Sequence, residues 1–339
     1  MARGMPAFFP MTEGLHPDPT IEATASRLAT LLTQGGETLY DPTASELVFE
    51  ESLVLQTLAR TEAPGDVWAV DGGQALVADA RCLQVYVTRA ARVRWRDGER
   101  VMEDDGALRA HLLGLGEERQ ALARSGAPVD PNSTVDVNLL REWGEWEAIA
   151  RCVSECEPGG IVLVDGDLQP DWRIPSAWLD GLLAAAADRQ VTLVGVTKHS
   201  SLSRGGAPLL GLLERQAEAS LGVRACWWVP VALTRPDVGP GLQVVVARLD
   251  PDARFAFRID LPANLSAPAV LGALSALSDD AAFPGYPYPL SVADRLAACS
   301  GWVRDEVWDQ IQGGLDQAGV ALDVRDRAFT DRHRLMERR

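Results

Sequence analysis

The sequence predicts an α/β protein with a mixed sheet flanked by helices, and three observations predict it. The stretch 66–95, DVWAVDGGQALVADARCLQVYVTRAARVRW, is broken by Gly, Asp and Arg into short apolar or alternating runs: Val67 to Val70, Ala75 to Ala78, Cys82 to Val87 and Ala91 to Trp95. Such runs read as an antiparallel meander. Further on, IVLVDGDL at 161–168 and VTLVGVT at 191–197 are buried-strand patterns separated by a helical segment at 176–188. Strands alternating with helices imply parallel pairing through right-handed crossovers. Finally, the runs at 67–70 and 161–164 both end on Asp-Gly, at Asp71-Gly72 and Asp165-Gly166. Taken alone, Asp71-Gly72 reads as a hairpin turn.

Composition narrows the class. The 339 residues are 47% hydrophobic and 24% charged, ordinary globular usage with ample material for a core. No apolar run approaches membrane-spanning length, and the N-terminus, MARGMPAFFPMTEG, lacks an apolar signal region. Five scattered cysteines argue against a disulfide framework, and Cys152 and Cys156 have no matching His or Cys pair for zinc. A cytoplasmic protein with buried thiols is expected. The formal charge of −16, from 48 acidic and 32 basic residues, disfavours unassisted tight binding to nucleic acid.

Taken in order, residues 1–19 read as a Pro-rich arm. Residues 20–35 have a Thr start, helical spacing of Ile21, Ala25, Leu28 and Leu32, and a Gly-Gly stop. Residues 43–60 repeat that pattern, with Thr43 and Glu46 offering a capping box, so a second helix is expected there. After the meander, a helix is expected at 106–124. Another is expected at 136–156, carrying Glu142, Glu145 and Glu147, and then come the strand, helix and strand of 161–197.

A three-strand meander followed by helices, strand, helix and strand is the order of the ribonuclease-H-like fold. In that order Asp71 and Asp165 fall at the ends of adjacent strands, with a glutamate of helix 136–156 above them. Clustered carboxylates repel one another in a partly buried site, and a hard divalent cation resolves the conflict. GVTKHSSLSR at 195–204 then places Lys198, His199, Ser200 and Arg204 directly after a buried strand, suited either to phosphate contact or to plain solvation. Residues 225–260 read as further strands, in an antiparallel extension. FPGYPYPLSVADRLAAC at 283–299 is a Pro/Tyr-rich loop running into a helix, with Asp294 in its first turns. The arginines of the C-terminal tail (Arg325, Arg327, Arg332, Arg334, Arg338 and Arg339) read as solvated.

VDGG at 70–73, the glutamate helix, VDGDL at 164–168, TKHSSLSR at 197–204 and GYPYPLSVADRLA at 285–297 together resemble the NurA nucleases, in the family's order and spacing. The resemblance runs from about residue 66 to 300, and its last block is the most specific. It implies a ribonuclease-H-like core and Mn²⁺-dependent DNA cleavage, with Mg²⁺ as an alternative ion. It further implies 5′-to-3′ exonuclease and single-strand endonuclease action, a homodimer, and work with the hexameric HerA translocase in processing DNA ends at double-strand breaks. Asp71 and Asp165 match the family's metal-binding aspartates, and Tyr286 its active-site tyrosine. Glu145 matches the helix glutamate, with Glu142 and Glu147 as competitors. Asp294 falls where some members carry histidine, a departure that keeps a possible metal ligand. A translocase that delivers DNA, single-stranded or as duplex ends, also answers the charge objection. The expected organisation is an arm and helices over 1–60 for dimer or partner contacts, a nuclease domain over 61–300 and a helical tail over 301–339. Two other classes fit the same residues: a non-catalytic ribonuclease-H-like scaffold regulating a DNA motor, and an actin-like phosphotransferase or ATPase. The chain lacks a Gly-rich Lys-Ser/Thr phosphate loop.

Overall fold

Residues 20–33, 36–42, 47–234, 241–330 and 336 are described by the structure, a computed structural model. Helix α1 (Ile21–Thr33) and strands β1 (Leu39–Tyr40), β2 (Leu47–Phe49) and β3 (Gln56–Thr57) precede a long hairpin of β4 (Asp66–Asp79) and β5 (Gln84–Arg96). β6 (Glu99–Asp104), β7 (Arg109–Leu113), α2 (Glu118–Ser125) and α3 (Val137–Glu155) lead to β8 (Ile161–Asp165), α4 (Ser176–Asp188) and β9 (Thr192–Thr197). The short β10 (Ser203–Arg204) and β11 (Ala207–Pro208) are followed by α5 (Leu209–Leu221), β12 (Trp227–Thr234), β13 (Leu242–Arg248) and β14 (Phe257–Pro262). Four helices complete the described chain: α6 (Ala267–Ala276), α7 (Tyr288–Ala297), α8 (Gly301–Gln317) and α9 (Leu322–Phe329).

The central strands run in the order β9-β8-β4-β5-β6. β4, β5 and β6 are antiparallel, and β8 and β9 pair parallel on the β4 side. This is the ribonuclease-H-like sheet expected from the sequence. β14, β13 and β12 extend it antiparallel beyond β9, and β2 and β3 pair along β12. Alternation along the strands gives each face its own core. Val67, Ala69, Leu163, Val194 and Val196 pack with α6 and α7. Trp68, Val70, Val162, Val164 and Leu193 pack with α3 and α4. Fully buried side chains such as Leu139 and Ile149 of α3 each contribute roughly 1.5–3 kcal/mol. α3 begins at Asp136, whose carboxylate accepts the Leu139 N–H at 2.9 Å, a side-chain cap for an orphan donor.

Several sequence expectations are corrected. Asp71-Gly72-Gly73 is no turn, and the runs 67–70 and 75–78 are one strand, β4. The hairpin closes instead at Ala80–Leu83, with Arg81 at φ 68°. The glycines mark close approach rather than chain reversal. A Cβ on Gly72 would lie 1.8 Å from Glu145 Oε1, and one on Gly73 would lie 1.8 Å from the Ala297 carbonyl oxygen. Over 43–60 the expected helix is replaced in its described part by β2 and β3. Leu47 is buried and Val48 exposed, the alternation of an edge strand. The capping-box residues Thr43 and Glu46 lie outside the described residues, as do 1–19. Over 106–124 the helix starts only at Glu118, because Gly106, Gly114 and Gly116 all hold positive φ before it. Arg325 is buried rather than solvated and bonds the Gln312 carbonyl at 3.1 Å; Arg332, Arg334, Arg338 and Arg339 lie outside the described residues. α5 and α6 were not anticipated. Among the described residues, no helix is long and apolar enough to cross a membrane.

The end of α7 is tied to the hairpin. Arg89 of β5, opposite Gly73, donates from Nε to the Ala297 carbonyl at 3.1 Å and from Nη2 to the Ala298 carbonyl at 2.5 Å. A guanidinium on the last helical carbonyls satisfies acceptors that the helix itself leaves unpaired. Gly73→Ala is expected to cost about 1–3 kcal/mol, because the new Cβ meets backbone that Arg89 holds in place. Gly181→Ala, on the exposed side of α4 where an added Cβ meets nothing within 4 Å, is expected to gain roughly 0.5–1 kcal/mol. Chemical denaturation of the two variants checks the pair.

Candidate metal centre

Parallel pairing of β4 with β8 matches Val67 to Ile161 and Val70 to Val164, so Asp71 and Asp165 are the next residues on two neighbouring strands. Both lie on the face packed by α7, which contributes Asp294. One carboxylate oxygen from each of Asp71, Asp165 and Asp294 lies within 4.8 Å of the others. Asp71 accepts the Gly72 N–H at 2.7 Å. Lys198, one residue past β9, brings its ammonium 2.6 Å from Asp165 Oδ2, a contact of charge rather than an aligned hydrogen bond, and donates to Asp294 Oδ1 at 3.0 Å. The same ammonium lies 5.1 Å from the centre of the Tyr286 ring. The Tyr286 hydroxyl is buried beside Asp165 without an aligned hydrogen-bond partner.

Glu145 approaches from the α3 side. It is 7% exposed, pairs with Arg141 one helical turn back and fills the space that Gly72 leaves open. Its competitors are otherwise engaged. Glu142 accepts the Asp171 N–H at 2.6 Å and the Trp146 indole N–H at 3.2 Å, bracing the loop after β8. Glu147 pairs with Arg109 at 2.8 Å. Rotation of α3 thus points Glu145 at Gly72 within β4, beside the three-carboxylate cluster but outside it.

The group is electrostatically unbalanced. Burial, then the neighbouring Asp165 and Glu145, push the Asp71 carboxyl up to about 8. Burial is also the main cause of Glu145 rising to about 7, with Arg141 opposing it. Asp165 is raised by burial although Lys198 counteracts it. Burial alone would lower Lys198, but Asp165 and Asp294 outweigh it and keep the ammonium charged. Such a set of hard oxygen donors, desolvated and mutually repelling, fits a divalent cation.

The remaining sequence candidates are placed less directly. Lys198 is drawn in between two carboxylates rather than standing free for phosphate. His199 is exposed beside it, the Ser200 hydroxyl accepts the Leu202 N–H at 3.2 Å, and Arg204 lies in β10, paired with β1.

A supporting network escaped the sequence reading. Arg258 and Asp260 of β14 form a two-point ion pair at 2.9 and 3.0 Å, and Arg258 also holds Asp41 at 2.8 Å, all essentially without exposure. Asp260 accepts the Leu168 N–H at 3.2 Å, which anchors the loop leaving Asp165. That loop crosses β9 where Gly195 lacks a side chain; a Cβ there would sit 2.6 Å from the Gly166 carbonyl. The available signal was FRIDL at 257–261, an apolar strand with opposite charges two residues apart and therefore on one face.

A ribonuclease-H-like sheet with a carboxylate inside β4 next to one at the end of β8 defines the structural class. No protein-family model matches the chain, and no curated protein matches it significantly. Among solved structures it is similar to the NurA nuclease from Sulfolobus solfataricus, with a TM-score of 0.53 and 16% identity, covering 88% of this chain and 95% of that one. A second NurA structure follows at TM-score 0.48 and 9% identity, covering 81% and 92% of the two chains. The catalytic domain of human endonuclease V gives 0.38 and 17%, covering 78% and 92%. The resemblance read from the sequence therefore holds at the level of the fold: this chain has the fold of the Sulfolobus NurA nuclease.

Asp71 binds its proton more tightly in the folded chain than in the unfolded one. Its contribution to stability is therefore fully present below the ordinary carboxylate range and is lost as pH rises towards about 8. Asp71→Asn is expected to flatten that decline and to raise the melting temperature of the chelator-treated protein at pH 7.5 by at least about 2 °C. Thermal melts between pH 5 and 8 measure it.

Proposed function

We propose that the protein is a divalent-metal-dependent DNA nuclease that processes DNA ends. The observation that carries this reading is the convergence of Asp71, Asp165 and Asp294 oxygens within 4.8 Å, where β8 ends beside the middle of β4 in a ribonuclease-H-like sheet. Asp71, Asp165 and Asp294 would hold the cation, Mn²⁺ or alternatively Mg²⁺, and Glu145 would complete the set from α3. A divalent cation supplies Lewis acidity towards the phosphoryl oxygens and neutralises charge that develops there. The chain's own residues supply the rest. Lys198, which bridges Asp165 and Asp294, would turn to a phosphate oxygen once a cation takes over those carboxylates. Tyr286, whose phenol is raised by burial and by Asp165, stays protonated and acts as a hydrogen-bond donor that positions the scissile phosphate. His199, Ser200 and Arg204 would carry the flanking backbone.

The finer reading follows the sequence resemblance: 5′-to-3′ exonuclease and single-strand endonuclease action, a homodimer, and delivery of DNA by a HerA-type hexameric translocase during double-strand-break repair. Delivery by a motor fits a chain of charge −16, which attracts DNA poorly by itself. One observation favours the non-catalytic scaffold reading instead. Lys198 already neutralises two of the carboxylates, as it would in a site that never binds metal.

Cleavage of linear DNA labelled at either end separates the two readings. With Mn²⁺ present, and with or without the translocase, wild type is expected to degrade DNA, and chelator to stop it. Asp71→Ala and Asp165→Ala are each expected to lose about 10²-fold or more in rate. Mn²⁺ at about 100 times its dissociation constant is expected to stabilise wild type by about 2.7 kcal/mol, and Asp71→Ala far less. Inertness under every condition, with no thermal shift from metal, would leave the scaffold reading standing.

A further inference from the structure

Beside the acid cluster lies a cleft of about 540 Å³ that shares Lys198, Tyr286 and Asp294 with it. That volume is typical of a site for a small ligand or a single residue of a polymer. Its distinguishing feature is aromatic. Phe257 and Tyr286 form one part of the lining, with ring centres 5.3 Å apart. Phe255 and Phe283 form another, from two different loops, and they are 55% and 62% exposed. The Arg254 guanidinium lies 5.2 Å from the centre of the Phe255 ring.

Single exposed aromatics are common on protein surfaces, but here two converge with the half-buried Phe257 and the buried Tyr286 on a single cleft. Their exposure is built in. The loop carrying Phe255 is held by Arg248, whose Nε and Nη2 donate to the Ala253 carbonyl at 3.1 and 2.7 Å. The loop carrying Phe283 presses against it through Gly285, at φ 89°, where a Cβ would lie 2.4 Å from Ala253 Cβ. Phe283 itself is fixed by backbone bonds to Asp280 and from Tyr286, each 3.1 Å. The backbone that carries both rings is thus tied in place.

We infer that this cleft is a base-binding subsite: it takes the unstacked nucleobase of the nucleotide next to the scissile phosphate, stacking it on Phe255 and Phe283. The inference rests on the nuclease reading above, and it adds which nucleotide is gripped and by what. A nucleobase is flat and aromatic, and it arrives on a phosphate backbone that must pass the carboxylates to be cut. The cleft is continuous with those carboxylates, so the base it accepts belongs to the adjoining nucleotide. Among the described lining residues the two exposed rings supply flat faces on which any base can stack, because every base has a π-face. Asp252, the other acid there, is already paired with Arg224 at 2.8 Å, which limits repulsion of the strand.

The test uses the full chain with Mn²⁺ and a single-stranded oligonucleotide in which one abasic residue is walked through the sequence. Cleavage is mapped bond by bond, and binding is read by 2-aminopurine fluorescence. For wild type, cleavage is expected to fall roughly tenfold only at the bond beside the abasic residue. Phe255→Ala and Phe283→Ala are expected to raise KM on the intact strand by a similar factor, with little change in kcat, and to be insensitive to the abasic residue. Phe255→Trp is expected to restore both the affinity and the sensitivity. Both phenylalanines are more than half exposed, so the alanine variants should melt like wild type, and a melt confirms that any loss is not unfolding. Cleavage by wild type with both alanine variants indistinguishable from it, or with no effect of the abasic residue, would overturn the subsite and leave the nuclease reading intact. Neither cleavage nor binding by wild type would overturn both.

Discussion

Everything at the centre of this protein depends on carboxylates being held together against their own repulsion. The parallel register that matches Val70 to Val164 puts Asp71 and Asp165 side by side, and α7 adds Asp294. Folding supplies the opposing force. Two buried faces of the same strands, one packed by α6 and α7 and the other by α3 and α4, fix the positions of the three acids. Lys198 relieves part of the repulsion, while burial, then Asp165 and Glu145 beside it, raise the Asp71 carboxyl well above its ordinary range.

That balance explains features which would otherwise look unrelated. Gly72 makes room for Glu145, and Gly73 makes room for the end of α7, so each side of one strand carries its own requirement for a missing side chain. Arg89 fastens α7 to β5, setting the height of Asp294 over the sheet. On the far face, Arg258, Asp260 and Asp41 hold the loop that follows Asp165. A buried ion-paired network of this kind is weak evidence for net stability, because desolvation offsets its Coulombic gain. Its geometric role is clearer: it fixes where the chain goes after leaving the site.

Much of this was legible in the sequence. α3, α4, α7, β8 and β9 were foreshadowed by long periodic or strongly apolar segments, and the element order alone pointed to the sheet topology. Asp71 and Asp165 stood out because each ends a buried run. Signals that depend on contact rather than pattern were misread. Asp71-Gly72 has the composition of a turn, and only the packing of Glu145 and Ala297 against the glycines explains why it lies within a strand. The segment 43–60 has apolar spacing compatible with either period, and pairing with β12 decided it. The link from Asp41 to Arg258 spans 217 residues, a separation that no local pattern encodes. Which of the three glutamates faces Gly72 depends on the rotation of α3, which sequence spacing alone does not fix; Glu145 does, while Glu142 and Glu147 bond elsewhere.

The most direct test of the central claim is an anomalous difference map from crystals of the protein grown with Mn²⁺. A peak between Asp71 and Asp165, with Asp294 or Glu145 as a further ligand and Lys198 displaced from Asp165, is the expected result. A site with no peak at saturating metal, and with Lys198 still bridging Asp165 and Asp294, would contradict it and make the carboxylate cluster a structural ion-pair network.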